Sequence, residues 1–274
     1  QYFLVYGQYH VWKVNPLETN KAKNLTKGEY ENDQMTYRLV NLDPEQGCYE
    51  LNKEMILRGF DLNTKSSGYF LGDWEGDKQP KELIFGEANF SGLKVSEDHS
   101  HYIYQKSTFK DSPDVFYTNA KFRKKEQLSE INPQQNKIKW GEVELVDFLS
   151  NEGDSLKGLL FKPENFDPEK KYPMMVYFYE RRSDALHHYY PPVPSASIIN
   201  IPYFVSNDYL VFVPDIKYKI GLPGPSAFDC IVPGVQAMIA KGFVDKENIG
   251  IQGQSWGGYQ VAYVITQTNM FKAA

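Results

Sequence analysis

Residues 248–259 read NIGIQGQSWGGY, and they carry the strongest indication of a fold class in the sequence. Residues 253–257 of this stretch, GQSWG, fit the pattern G-x-S-x-G. A short apolar run precedes the pattern, and the residues from Tyr259 to Ile265 have the apolar spacing of a helix. A serine at such a strand-to-helix turn is held in a strained backbone conformation with its hydroxyl exposed. The stretch therefore predicts an α/β fold in which Ser255 is the candidate nucleophile of a hydrolase.

The glycines of this stretch have steric roles in the predicted turn. Side chains at Gly253 and Gly257 would collide across it, and Gly258 is expected to let the helix pack closely on the sheet. The helix start directs free N–H groups and the positive end of its dipole toward the site. We therefore expect the backbone N–H of Trp256 to bind the oxyanion of a tetrahedral intermediate. The alternative is a glycine-rich structural turn with an inert serine, which the flanking strand and helix disfavour.

The surrounding half of the chain, residues 137–274, alternates between strand and helix patterns. Strands are predicted at residues 142–149, 156–161, 174–179, 209–215 and 248–252, and helices at 226–241 and from 255 onward. Pro233 inside the first helix suggests a kink or a later start. Strands that alternate with helices indicate a mostly parallel α/β sheet.

Residues 1–136 have a different sequence pattern, with short alternating strands separated by polar loops. Three aromatic strands, around Trp12, Phe70 and Phe116, are each followed about a dozen residues later by a leucine in a polar setting. This recurrence is typical of the blades of a β-propeller. Any meandering antiparallel sheet is the alternative.

Composition excludes several classes of function. The net charge of −5 argues against nucleic acid or an anionic membrane as the main partner, because both require concentrated Lys and Arg. Cys48 and Cys230 are far apart and form no zinc or redox motif, so we expect neither a metal nor an organic cofactor. The longest apolar runs are too short to span a bilayer.

From about residue 162 onward, the sequence resembles the catalytic domain of the prolyl oligopeptidase family, which includes dipeptidyl peptidases and acylaminoacyl peptidases. The segments that carry the resemblance are residues 160–163, 170–173, 241–245 and 249–259, above all GQSWGGY at 253–259. The resemblance implies an α/β-hydrolase domain, incomplete at its C-terminus, preceded by the last blades of a β-propeller. The expected boundaries are 1–136 for the blades and 137–274 for the first part of the catalytic domain.

The resemblance also implies a role for Tyr179. In the family, a tyrosine after the third hydrolase strand gives its hydroxyl to the oxyanion hole, and Tyr179 stands at the matching position. Residues 180–182, ERR, follow it in place of the usual glycines. Residues 215–218, DIKY, likewise replace the R-G-S-G turn of the family.

The chain order of this fold places the catalytic Asp and His after the serine. Only 274 − 255 = 19 residues follow Ser255, and none of them is Asp, Glu or His. His187 and His188 precede it and read as ordinary loop histidines. We therefore expect the triad partners beyond the end of this chain and the fragment alone to be inactive. The unpaired sheet edge is expected to need the missing C-terminal part or a homo-oligomer to cover it.

These patterns together predict a serine peptidase that hydrolyses short peptides through an acyl-enzyme, with Ser255, Tyr179 and Trp256 as its catalytic residues. Two alternatives stay open. A carboxylesterase can be built on the same fold because the same turn serves ester hydrolysis. A non-catalytic binding protein could use the propeller as a docking surface.

Overall fold

The computed structural model describes residues 2–18, 21–27, 34–43, 45 and 48–274. The chain divides into two compact units, Gln1–Ile131 and Asn132–Ala274. A short 3₁₀ helix, Pro133–Lys137, lies at the start of the second unit. The boundary expected from the sequence, at 136/137, stays a prediction.

The described residues of the first unit form three antiparallel sheets, each built from consecutive strands. The strands are β1 (Phe3–Tyr6), β2 (Val11–Val14) and β3 (Lys23–Asn24); β4 (Met35–Leu39), β5 (Met55–Asp61), β6 (Ser67–Gly72) and β7 (Lys81–Gly86); and β8 (Asn89–Val95), β9 (His101–Ser107), β10 (Asp114–Asn119) and β11 (Lys125–Gln127). Neighbouring strands are joined along the chain as hairpins, which is the arrangement within a propeller blade.

Aromatic side chains hold these sheets together. The first core cluster includes Val11 and Phe70 and joins the first two sheets, where Tyr37 packs edge-on against Phe70 with ring centroids 5.5 Å apart. The second cluster joins the second and third sheets and includes Phe90 and Tyr104, whose ring centroids are 5.8 Å apart. Burial of these rings supplies the main favourable term in the packing of the sheets.

The three aromatic anchors of the sequence repeat occupy equivalent places. Each lies in the strand before the last of its sheet, namely β2, β6 and β10. The leucines that follow them are not equivalent, because Leu25 is fully buried whereas Leu128 is 56% exposed. The repeat therefore marks successive hairpins, and its leucine is not a shared core position.

The second unit contains one five-stranded sheet in the order β12-β13-β15-β14-β16. Its strands are β12 (Glu142–Leu149), β13 (Ser155–Lys162), β14 (Tyr172–Tyr177), β15 (Leu210–Pro214) and β16 (Val244–Gln252). β12, β13 and β15 pair antiparallel, whereas β14 pairs parallel with both β15 and β16. Because β12 and β15 both run antiparallel to β13, four of the five strands point the same way, which confirms a mostly parallel sheet. Only β13 is reversed, and its pairing with β15 is a long-range contact that periodicity does not encode.

Three α-helices accompany this sheet: α1 (Ile201–Ser206), α2 (Pro223–Ala240) and α3 (Trp256–Gln267). α2 begins three residues before the predicted start and continues on both sides of Pro233. Pro223 suits the first position of the helix because its missing N–H would have no helical acceptor there. All five residues of β15 are buried, as expected for a central strand.

The parallel pairing of β14 and β16 determines where side chains from distant segments meet. Val176 pairs with Ile251 and Tyr177 with Gln252, so both strands end at the same edge of the sheet. Residues that follow β14 and residues that follow β16 are therefore brought together at this edge. In α/β sheets, this carboxyl edge is where binding sites are built.

Candidate active site

The turn between β16 and α3 has the geometry of a nucleophile turn. β16 ends at Gln252, α3 begins at Trp256, and Ser255 is the residue that caps the helix. Its backbone has φ 55° and ψ −115°, a conformation that L-residues rarely adopt. The Ser255 side chain makes no capping hydrogen bond and is exposed. The strain is thus not explained by a cap, and the hydroxyl is accessible.

Two glycines allow the backbone to pass this closely. A Cβ at Gly253 would lie 2.4 Å from both the carbonyl carbon and the oxygen of Gly257. A Cβ at Gly257 would lie 2.8 Å from the carbonyl oxygen of Phe178, the residue after β14. Both distances are impossible for real carbon atoms, which confirms the steric roles expected for these two glycines. Gly258 differs, because a Cβ there would meet only the Gly253 oxygen at an ordinary 3.5 Å.

Trp256 begins α3 directly after the serine. Its backbone N–H makes no hydrogen bond with any residue that the structure describes, as is usual for the first N–H groups of a helix. Its indole is 43% exposed and stacks on Tyr259 with ring centroids 5.4 Å apart. A free backbone donor and an exposed aromatic face therefore border Ser255.

Tyr179 follows the end of β14 by two residues and borders the same turn. Its Cδ2 lies 3.9 Å from the position that a Cβ on Gly257 would occupy. No described residue hydrogen-bonds to its hydroxyl, and the residue is 36% exposed. The neighbouring Tyr177 is different, because its hydroxyl donates to the Ser197 carbonyl at 3.3 Å and it is only 4% exposed. Of the two tyrosines, Tyr179 is the one with an available hydroxyl.

A buried glutamine, which the sequence did not single out, lies beneath these residues. Gln260, in α3, is 0% exposed, and its amide lies among the Tyr218 hydroxyl, the Trp256 indole and the Tyr179 carbonyl. An indole N–H can only donate and a carbonyl can only accept, so the amide oxygen faces the indole. In this orientation Oε1 accepts from Trp256 Nε1 at 3.2 Å and Nε2 donates to the Tyr179 oxygen at 3.2 Å.

Tyr218 completes this cluster from the loop after β15. Its hydroxyl donates to the carbonyl oxygen of Tyr179 at 2.8 Å. Its ring packs edge-on against Trp256, with ring centroids 6.4 Å apart. Burial raises the pKa of Tyr218 above its ordinary value. The side chain is therefore a neutral phenol that can donate at any physiological pH.

Asp215 holds the segment that replaces the expected glycine-rich loop. It is 6% exposed and accepts hydrogen bonds from the backbone N–H groups of Arg182 at 2.7 Å and Ser183 at 2.8 Å. The Ser183 hydroxyl donates to its second oxygen at 2.5 Å. The loop after β14 is thus organised by a buried carboxylate at the start of the loop after β15.

Comparisons with known proteins bear on this geometry. Residues 221–274 match the model of the prolyl oligopeptidase family. Dipeptidyl peptidase 8 of Homo sapiens is 28% identical over 157 residues, which is 48% of this chain and 16% of that protein. A putative dipeptidyl aminopeptidase IV from Bacteroides ovatus superposes with a TM-score of 0.72 at 21% identity, covering 99% of this chain and 41% of that one. An acylaminoacyl peptidase from Pyrococcus horikoshii gives a TM-score of 0.64 at 18% identity, over 99% of this chain and 42% of its own.

The chain is similar to the prolyl oligopeptidase family over residues 221–274. The structural likeness to these peptidases confirms the expected fold, with the last blades of a β-propeller before an α/β-hydrolase domain. The chain spans less than half the length of the relatives and solved structures named above.

The two histidines of the second unit are not part of this cluster. His187 and His188 lie in a turn after the short 3₁₀ helix Ser183–Ala185. In the part of the chain that the structure describes, no group of three or more His, Cys, Asp or Glu side chains could hold a metal ion. Within the same residues, no helix is long and apolar enough to cross a membrane.

Proposed function

We propose that this chain provides the nucleophile of a serine peptidase that hydrolyses short peptides through an acyl-enzyme. The observation that carries the proposal is the exposed Ser255 hydroxyl at a strained turn between a parallel strand and a helix. The turn can be built only because Gly253 and Gly257 lack side chains. A strained, solvent-facing serine without a capping bond has no evident structural use.

In the proposed mechanism, Ser255 Oγ attacks the peptide carbonyl while a general base takes its proton. The tetrahedral intermediate collapses, and the base returns the proton to the leaving amine. Water then attacks the acyl-enzyme ester with help from the same base and regenerates the serine. We propose that this base, a histidine, and its orienting aspartate lie beyond residue 274, because none of the 19 residues after Ser255 can serve.

The developing oxyanion needs hydrogen-bond donors, and two are proposed. The Trp256 backbone N–H has no partner among the described residues, and it lies at the positive end of α3. The Tyr179 hydroxyl is also available, and its ring borders Gly257 in the turn. Loss of one such donor lowers kcat by about a hundred- to a thousandfold in hydrolases that have been tested.

A fluorophosphonate probe on the whole protein tests the nucleophile. We expect covalent labelling of the wild type and complete loss of labelling in Ser255→Ala, because the probe reacts only with an activated serine. Ser197→Ala is a matched control, since Ser197 is exposed but lies in no strained turn. Labelling that persists in Ser255→Ala would end the proposal.

Substrate class is tested on the same protein. An aminoacyl amide and a short acyl ester of equal chain length are compared by kcat/KM. Faster turnover of the amide supports the peptidase, and activity limited to the ester would make the protein an esterase. A whole protein that neither labels nor turns over either substrate would be a binding protein.

A further inference from the structure

The buried cluster below the turn has no role in the mechanism just described, although it contacts two of its residues. We infer that Gln260 and Tyr218 are positioning residues, which fix the main chain of Tyr179 and the indole of Trp256 so that both oxyanion donors stay in place. The inference rests on the proposed function. It adds to the site two residues that lie outside the G-x-S-x-G pattern.

Burial is the first argument. Gln260 is 0% exposed, and a buried amide without partners is costly. Here the amide oxygen accepts from the Trp256 indole and the amide nitrogen donates to the Tyr179 carbonyl. An apolar residue would fill the same space at a lower desolvation cost. The polar side chain is therefore explained by the groups that it connects.

Connectivity is the second argument. The cluster joins three segments that are distant in sequence: the end of β14 at Tyr179, the loop after β15 at Tyr218, and the first turns of α3. Only two side-chain torsions separate the main chain of Tyr179 from its hydroxyl. Fixing the Tyr179 carbonyl by donors at 2.8 and 3.2 Å thus restricts where that hydroxyl can lie.

The loop that carries Tyr218 is itself held on both sides. Lys217 pairs with Asp154 at 2.5 Å, and Lys219 pairs with Glu152, both in the turn between β12 and β13. The backbone N–H of Lys219 also donates to the Ser226 hydroxyl in α2 at 2.9 Å. Exposed ion pairs are individually weak, but together these contacts limit the movement of the Tyr218 phenol.

The test uses the whole protein with a peptide amide substrate. Tyr218→Phe removes only the hydroxyl, which contacts both the Tyr179 carbonyl and the Gln260 amide oxygen. Gln260→Met replaces the amide by an apolar chain of similar size. We expect kcat to fall between about 10- and 100-fold in each variant, because small displacements of catalytic groups have effects of this size. KM is expected to change by less than about twofold, because the cluster acts on the transition state and not on ground-state binding.

A double-mutant comparison separates positioning from general damage. In a Tyr179→Phe background the oxyanion hydroxyl is already gone, so adding Tyr218→Phe should lower kcat further by less than about twofold. Tyr263→Phe and Gln267→Met are matched controls on α3, since Tyr263 makes no hydroxyl contact among the described residues and Gln267 is exposed. Both controls should keep the wild-type kcat.

The outcomes are distinguishable. If Ser255→Ala loses labelling and Tyr179→Phe lowers kcat, yet Tyr218→Phe keeps the wild-type kcat, only this inference fails. If the effects of Tyr179→Phe and Tyr218→Phe multiply fully, the phenol does not act through Tyr179 and the inference also fails. If Tyr179→Phe does not change kcat, the Tyr179 hydroxyl is not an oxyanion donor, and the inference fails as well. Should Gln260→Met not fold, the Tyr218 variants still decide.

Discussion

The two units bury polar groups for different purposes. In the first unit, Ser67 is 2% exposed and its hydroxyl donates to the Ala88 carbonyl at 2.8 Å while it accepts from the Phe90 N–H at 3.1 Å. These contacts join β6 to the start of β8, so they fix one sheet against the next. In the second unit, Asp215 and Gln260 are buried where strands end, and they hold loops and a helix start.

The comparison shows where groups with a high desolvation cost are buried. A hydroxyl that joins two sheets satisfies two backbone groups and requires little desolvation. A carboxylate and a primary amide lose more on burial, and each needs several partners to compensate. Among the described residues, the buried Asp and Gln both lie in the second unit around the candidate nucleophile, whereas the first unit buries the lysines Lys13 and Lys65. The contrast suggests that the second unit maintains precise loop positions, whereas the first maintains sheet packing.

The largest expected effect comes from adding a side chain that the turn cannot accommodate. Gly253→Ala places a Cβ 2.4 Å from the backbone of Gly257, so the turn must open. We expect the fluorophosphonate labelling rate of the whole protein to fall at least about 100-fold, because the serine leaves its reactive position. Gly86→Ala, at the end of β7, is the matched control, since a Cβ there meets no atom within 4 Å. Equal labelling rates in the two variants would contradict the steric account.

A smaller effect is expected from the buried carboxylate. Asp215→Ala leaves the N–H groups of Arg182 and Ser183 without their acceptor. We expect the free energy of unfolding to fall by about 3 kcal/mol, measured by urea denaturation, and labelling to slow as the loop moves. Ser67→Ala should cost about 1–2 kcal/mol and leave the labelling rate unchanged. A labelling defect in Ser67→Ala would remove the distinction between the two units.

The turn at Ser255 could be predicted from the sequence because its causes are local. The apolar run, the glycine spacing and the apolar helix face all lie within residues 248–265, and the structure confirms the strand and the helix. The roles of Gly253 and Gly257 follow from the same short segment. Gly258 was misjudged, because the close approach to the strand end occurs one residue earlier, where Gly257 meets Phe178.

The supporting cluster could not be predicted because its partners are far apart along the chain. Gln260 meets Tyr218 across 42 residues, and Asp215 meets Ser183 across 32. These meetings depend on the strand order, in which β14 lies between β15 and β16. One local signal existed: Gln260 is a polar residue on the buried face that it shares with Val261 and Val264. A buried-face glutamine beside a nucleophile turn is a pattern worth searching for.

The smallest expected effect concerns a carboxylate of the first unit that resembles Asp215 in its contacts but not in its burial. Asp73 accepts from the backbone N–H groups of Asp77 at 2.9 Å, Lys78 at 3.1 Å and Glu75 at 3.3 Å, in the turn after β6. These bonds, the one from Asp77 first, lower the pKa of Asp73 below its ordinary value.

A group whose pKa is lowered on folding stabilises the protein above its unfolded pKa, and this contribution is lost as pH falls through the folded pKa. Asp73→Asn should therefore be less stable than the wild type at neutral pH, by less than about 1 kcal/mol because solvent screens the site. The difference should shrink as the pH is lowered from about 5 toward 2, as measured by urea denaturation at each pH. A difference that grows in acid would show that the turn does not stabilise the charged form, and the contrast with Asp215 would then rest on burial alone.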